Sequence, residues 1–169
     1  MKLPTKSNSP GSDRGVTIID LLIVSTVIAM AVSLLLPLAL SAQKTLVRAN
    51  AVQEFAGYVQ HARSDSKKLH AVAPAQMAQL TILNERFYYV VADADGNGAL
   101  DPPLVISLEN RNIRMDGPFP RTFMFDQLGR VLDQNQTLMP LPVVQFSDEK
   151  GKTSVRFDGT GQPVVTAGK

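Results

Sequence analysis

The sequence has no cysteine and only two histidines, His61 and His70. The absence of cysteine excludes disulfide bridges, thiolate zinc sites and a cysteine nucleophile. The two histidines lie nine residues apart in a stretch predicted to be helical, and this spacing does not place two metal ligands on one helical face. We therefore expect both histidines to be solvated polar positions.

The sequence patterns that accompany catalysis are also missing. No glycine-rich phosphate loop precedes a predicted helix, no metalloprotease helix is present, and two helical histidines cannot complete a serine nucleophile arrangement. We therefore expect that the protein is not an enzyme and has no organic cofactor.

The sequence has little excess of one charge over the other, because its formal net charge is only +2. The excess lies in residues 1–15, where Lys2, Lys6 and Arg14 are opposed by Asp13, and the remainder carries equal numbers of basic and acidic side chains. Bulk electrostatic attraction to nucleic acid is therefore not expected.

One long apolar run dominates the N-terminal part of the chain. Residues 16–42 follow the basic segment directly and would form a helix of roughly 40 Å, longer than the roughly 30 Å hydrocarbon core of a bilayer. The basic flank favours a cytoplasmic N-terminus, which places everything after residue 42 on the other side of the membrane. The run therefore predicts a single membrane-spanning helix.

Asp20 is the ionisable residue inside this run. A carboxylate near the start of a membrane helix is costly unless a partner neutralises it. A cut after Gly15 would release an amine at Val16, one helical turn from Asp20 on the same face. The two groups would pair within one chain or between neighbouring chains, and pairing between chains would set the register of a staggered assembly.

The segment Gly15-Val16-Thr17-Ile18-Ile19-Asp20-Leu21-Leu22-Ile23-Val24 resembles the processing motif of type IV prepilins. In that family a peptidase cleaves after the glycine and the new N-terminal residue is methylated. Pro37, the twenty-second residue after the expected cut, matches a proline that the family commonly carries. A proline at this position removes a backbone donor and weakens the helix at the carbonyl of Ser33.

The resemblance implies a structural subunit of a type IV pilus or of a type II secretion pseudopilus, a minor pilin or pseudopilin. Its expected partners are other pilin or pseudopilin subunits, the prepilin peptidase and the inner-membrane assembly platform. The expected location is the inner membrane, with a cytoplasmic N-terminus and a periplasmic head, and then a periplasmic or extracellular filament. The stretch Ala62-Arg63-Ser64-Asp65 is similar to the helix end of the H-type pseudopilin and FimT-like branch.

Two other interpretations of the apolar run remain open. A secretory signal peptide would use the small residues of Ala39-Leu40-Ser41 as its cleavage site, although its apolar region would exceed the usual length of about 7 to 15 residues. The second is a plain membrane anchor that is never cleaved.

The rest of the chain predicts an α+β architecture. Helical periodicity continues to His70, with an apolar stripe of Leu46, Val52, Phe55, Val59 and Ala62 opposed by polar positions that include Lys44, Arg48 and Arg63. Strands are predicted at residues 76–83, 87–92, 104–109, 122–125, 143–146, 153–157 and 163–166. The predicted organisation is a leader peptide (1–15), a transmembrane and filament-core helix (16–42), an amphipathic extension (43–73) and a β-rich head (74–169).

An acidic loop between two predicted strands is the candidate metal site. Asp93, Asp95, Asn97 and Asp101 place oxygen ligands at alternate positions, with a glycine at the sixth, in the pattern of a calcium loop. Calcium needs six to eight oxygen ligands around a tight turn. The twelfth position, which should be a bidentate carboxylate, is Leu104, so we expect at most weak calcium binding. Glu109 would supply the missing ligand if the chain folded back, and the alternative is a plain acidic connection between strands.

Two further functional hypotheses stay open beside the filament subunit. One is a calcium-dependent binding domain on an uncleaved anchor. The other is a DNA-binding minor pilin for natural transformation, which would require a basic cluster in space. The residues available for such a cluster are Arg111, Arg114, Arg121 and Arg130.

Overall fold

The computed structural model describes residues 18–168, which form two compact units that meet between Ser41 and Ala42. The first element is a helix, α1, which begins at Ile18 and ends at Lys68 and contains Pro37. The predicted leader and the cleavage site between Gly15 and Val16 lie outside the described residues.

The second half of α1 packs into the head through one apolar stripe. Val52, Phe55, Val59 and Ala62 are each no more than 1% exposed, as their spacing of three and four residues predicts. Leu46 was placed on this stripe wrongly, because it is 61% exposed. It lies six residues before Val52, which at 100° per residue turns it away from the buried face.

α1 ends two residues before the predicted end at His70. The Ala71 N–H donates to the Ser66 carbonyl at 3.0 Å and the His70 N–H to the Lys67 carbonyl at 3.3 Å. His70 itself has a left-handed φ of 49°. These bonds form a Schellman cap with His70 in the position usually occupied by glycine. His70 therefore lies just beyond the helix, whereas His61 lies within it.

All seven predicted strands are present with shifted ends, and two short strands were missed. The missed strands are β4 and β6, which have three and two residues. The predicted strand at 76–83 is shortened by a 3₁₀ helix at Pro74–Gln76, and a second 3₁₀ helix spans Glu109–Arg111. The strands are β1 Gln79–Ile82, β2 Phe87–Val91, β3 Leu104–Ser107, β4 Arg114–Asp116, β5 Arg121–Phe125, β6 Val131–Leu132, β7 Val143–Asp148, β8 Gly151–Phe157 and β9 Pro163–Ala167.

The described strands form two antiparallel sheets. One has the order β3-β2-β1-β5-β6 and the other β4-β7-β8-β9. Phe55 of α1 connects them, because its ring lies 5.1 Å from Phe146 of the second sheet and 5.3 Å from Tyr88 of the first, both edge to face. Phe123 and Phe157 stack between the sheets at 5.2 Å. The α+β prediction of a long N-terminal helix on a small antiparallel head is confirmed.

Candidate functional site

The first half of α1 is an apolar surface without a covering layer in its own unit. Its most apolar 18-residue window has a mean hydropathy of 2.6, and none of that window is buried. It is the one helix in the described part of the chain that is long and apolar enough to cross a membrane. Membrane anchoring through this helix is thus compatible with the fold by length and composition.

Hydroxyl groups in this apolar half bond to the helix itself. Ser25 and Thr26 donate to the Leu22 carbonyl, each at 2.9 Å, and Ser33 donates to the Met30 carbonyl at 2.8 Å. Each bond satisfies a polar group that would otherwise face hydrocarbon unpaired. The hydroxyl groups of Ser25, Thr26 and Ser33 are therefore compatible with a lipid environment.

Of the four residues singled out for processing and assembly, two are described. Asp20 lies in the first turn of α1 and Pro37 lies inside it. Gly15 and Val16 lie outside the described residues, so the expected pairing of Asp20 with a new amine at Val16 stays a prediction.

The acidic loop after β2 brings three of its four predicted ligands together. Carboxylate oxygens of Asp93, Asp95 and Asp101 lie within 4.8 Å of one another. Asn97 uses its amide inside the loop instead: its Oδ1 accepts from the Ala99 N–H at 2.8 Å and its Nδ2 donates to Asp95 at 2.8 Å. The loop is therefore an acidic cluster, and Asn97, which was expected to be its fourth ligand, stabilises the turn through hydrogen bonds.

Backbone donors converge on Asp93. Its carboxylate accepts from the Asn97 N–H at 3.0 Å and from the Gly98 N–H at 2.9 Å. Burial acts to raise the pKa of Asp93, and the hydrogen bonds, led by that from Gly98, outweigh it and hold this pKa below its usual range. Gly96 and Gly98 permit the tight turn through φ values of 74° and 90°. Asp93 is therefore ionised at neutral pH.

The completing ligand of a calcium site does not come from the twelfth position. Leu104 is 53% exposed and begins β3. Glu109 lies beyond the other end of β3, in the 3₁₀ helix that follows it, and is not part of the carboxylate cluster. Three carboxylates suit a hard cation such as calcium, but the remaining ligands would have to be carbonyl groups or water.

Sequence reasoning missed the role of two matching turns, which follow β5 and β8. In each turn the aspartate after a buried phenylalanine caps the backbone: Asp126 accepts from the Leu128 and Arg130 N–H groups, and Asp158 from the Thr160 and Gln162 N–H groups. The repeated pattern Phe-Asp-x-x-Gly at Phe125 and Phe157 was the available signal.

Arg63 of α1 joins these two turns. Its Nε donates to the Thr160 carbonyl at 3.0 Å and to the Gly129 carbonyl at 3.3 Å. A Cβ atom placed on Gly161 would lie 2.0 Å from the Gly129 carbonyl oxygen, so the turns touch through their backbones. Arg63 therefore ties one hairpin of each sheet to the end of the helix.

Nearer the start of the head, α1 forms ion pairs with the turn between β7 and β8. Arg48 forms an ion pair with Asp148, in which both side chains are largely buried, and Lys44 pairs with Glu149 at 2.9 Å. Arg48 was placed among the polar positions facing away from the head. It lies four residues before Val52, which puts it on the buried stripe.

The four arginines considered for DNA binding each have partners within the head. Arg111 pairs with Glu54, Arg114 lies 3.8 Å from Glu85, and Arg130 pairs with Asp126 at 2.7 Å. Arg121 donates to the Val143 carbonyl and lies over the Phe123 ring, and burial lowers its pKa. Each of the four guanidinium groups therefore has a contact within the head.

No protein-family model, curated protein or solved structure matches this chain.

Proposed function

We propose that this protein is a minor pilin or pseudopilin, a structural subunit of a type IV pilus or of a type II secretion pseudopilus. The observation that carries the proposal is the contrast between the two halves of α1. Its first half offers an exposed apolar surface, and its second half is buried in a β-rich head. A subunit that leaves lipid for a bundle of similar helices needs this combination, because the bundle replaces the hydrocarbon around the same surface.

In the proposed sequence of events, the basic leader holds the N-terminus in the cytoplasm while α1 spans the inner membrane. A prepilin peptidase cleaves after Gly15, and Val16 is methylated. The assembly platform then extracts the helix into the filament, where Asp20 pairs with an N-terminal amine. Pro37 removes one intrahelical donor, so the helix lengthens there at a lower cost when subunits pack.

The decisive experiment is intact-mass and N-terminal analysis of the membrane-extracted protein. We expect the native chain to begin at Val16 with an added methyl group. Gly15→Ala should leave the chain beginning at Met1, because the peptidase requires the glycine before the cut. Gly57→Ala is the matched control, since a Cβ at this exposed helical position meets no atom within 4 Å. A native chain that begins at Met1 or at Ala42 contradicts the proposal.

The alternative function is a calcium-dependent binding domain on an uncleaved anchor. It is favoured by the three carboxylates that converge in the loop after β2. This alternative requires a chain that begins at Met1 and a melting temperature that rises with millimolar calcium and not with magnesium. A chain that begins at Val16 removes the uncleaved anchor, whatever the loop binds.

A further inference from the structure

The outer side of β3 is an open sheet edge. In the described residues β3 pairs only with β2. The Leu108 N–H donates to the Arg86 carbonyl at 2.8 Å, so by the alternation of an antiparallel ladder the backbone groups of Val105 and Ser107 point away from β2. Val105 is 60% exposed. β3 itself, Leu104–Ser107, contains no proline, charged side chain or bulge. Pro102 and Pro103 lie directly before it, so an added strand has outward backbone donors to pair with only from Val105 onward.

A small cavity lies at the start of this edge. Its volume is about 130 Å³, and its walls include Tyr58 and His61 of α1, Val90 of β2, Ala94, and Leu104 of β3. The lining is mostly hydrocarbon. A dry cavity of about 150 Å³ can hold a benzene molecule, so this one has room for one aliphatic or small aromatic side chain.

The rim of the cavity is negatively charged. Asp101 lines it and lies in the cluster with Asp93 and Asp95. Among the described ion pairs, none involves these three carboxylates, and His61, which also lines the cavity, has its Nδ1 2.8 Å from Asp65. A segment that enters here therefore meets negative charge without a built-in counter-ion.

We propose that the outer edge of β3 binds an extended, basic segment of a partner protein. The segment pairs with the backbone of Val105 and Ser107, places one apolar side chain in the cavity, and sets a lysine or arginine against Asp101 and its neighbours. Strand addition of this kind takes affinity from main-chain bonds and specificity from the side-chain pocket. The proposal concerns the head alone and does not depend on the proposed filament function.

Charge favours a basic partner over a second copy of this chain. Antiparallel pairing of two β3 edges would bring the acidic loop of one copy towards Glu109 of the other, and like charges would meet at both ends. A basic segment is instead attracted to Asp101 and its neighbours, and the affinity of the complex falls as the salt concentration rises.

The test uses the full chain in detergent micelles and a fluorescent peptide, acetyl-Lys-Val-Leu-Thr-Lys-amide, followed by anisotropy. We expect saturable binding that weakens as sodium chloride is raised. Val105→Pro removes an outward N–H without disturbing the β2 pairing and should weaken binding by about tenfold, the loss of one well-formed hydrogen bond. Val105→Thr, which keeps that N–H, should bind like the parent chain.

Two further measurements test the cavity and the acidic rim separately from the strand edge. Ala94→Trp should fill the cavity and abolish binding, and a peptide with glutamates in place of lysines should not bind. Unchanged circular dichroism melts show that the variants are folded. Equal affinity of Val105→Pro and Val105→Thr, or of the lysine and glutamate peptides, overturns the proposal. Self-association that is lost in Val105→Pro, without peptide binding, also overturns it.

Discussion

Gly161 is held where the backbone of a second turn leaves no space for a side chain. Its φ of 79° lies in the left-handed region, and an added Cβ would approach the Gly129 carbonyl oxygen to 2.0 Å. Gly159, two residues earlier in the same turn, has no atom within 4 Å of such a Cβ. Two glycines in one turn therefore differ in what the fold requires of them.

Gly161→Ala should destabilise the head by about 2 to 4 kcal/mol, because it combines left-handed strain with a backbone clash. Gly159→Ala should change the free energy of unfolding by less than about 1 kcal/mol. Urea unfolding of the detergent-solubilised chain, followed by near-ultraviolet circular dichroism, measures both values. Equal stability of the two variants would mean that the turns do not meet as described.

Asp116 links stability to pH. The Lys152 ammonium, 2.9 Å away, and the Ser147 hydroxyl hold its pKa below the usual value. A lowered folded-state pKa gives stability that is present above the unfolded pKa of about 4 and is lost as the pH falls through the folded pKa.

Asp116→Asn should therefore flatten the loss of stability on the acidic side. Between pH 5 and pH 3 the melting temperature of the parent chain should fall further than that of the variant, because only the parent takes up a proton at this position. Glu109→Gln, which changes an exposed carboxylate outside the described ion pairs, is the control. A parallel decline in parent and Asp116→Asn would refute the linkage.

At the scale of secondary-structure elements, two arginines of α1 fix the helix to the turns of the head. Arg48 grips the β7–β8 turn near the start of the head, and Arg63 joins the turns after β5 and β8 near the end of the helix. Between them Phe55 lies against both sheets. The helix therefore adds to the direct contacts between the two sheets, which include the stacked rings of Phe123 and Phe157.

Arg48→Met should cost about 3 kcal/mol, because it leaves the largely buried Asp148 carboxylate without its cation. The double variant with Asp148→Asn should recover part of this loss, since the asparagine Oδ1 can still accept from the Lys150 and Gly151 N–H groups. Urea unfolding of the two single variants and the double variant gives the coupling energy. Additive losses would show that the pair contributes no coupling.

At the scale of the whole molecule, the proposed filament function makes two separate demands on the same N-terminal segment, processing and assembly. The proposal assigns Gly15 to cleavage and Asp20 to the contact between subunits. A charged residue in the apolar half of α1 costs free energy in the bilayer. In the proposed filament that cost is recovered by pairing with the amine at Val16.

Asp20→Ala should therefore be cleaved normally and still fail to enter filaments. Membrane extracts should contain a chain that begins at Val16, whereas sheared filament fractions should lack it. Asp20→Glu keeps the charge and should be found in both fractions. Recovery of Asp20→Ala from filaments at the parental level would show that the carboxylate does not position the subunit.

The sequence alone determined the class of fold, because its signals are local. A 3.6-residue periodicity predicts the long helix, and short apolar runs between turn residues predict seven of the nine described strands. The acidic loop was also visible, since its acidic residues lie close together along the chain. β4 and β6 were missed because two or three residues carry too little periodicity to be recognised.

The tertiary structure decided which side chains meet. The turns at Gly129 and Gly161 are distant in sequence and touch only when the two sheets close around α1. Arg48 and Arg63 change from solvated positions into the residues that fix the helix to the head, because their partners come from the far end of the chain. Local periodicity records which face of an element is apolar, but long-range pairing depends on how the faces are brought together.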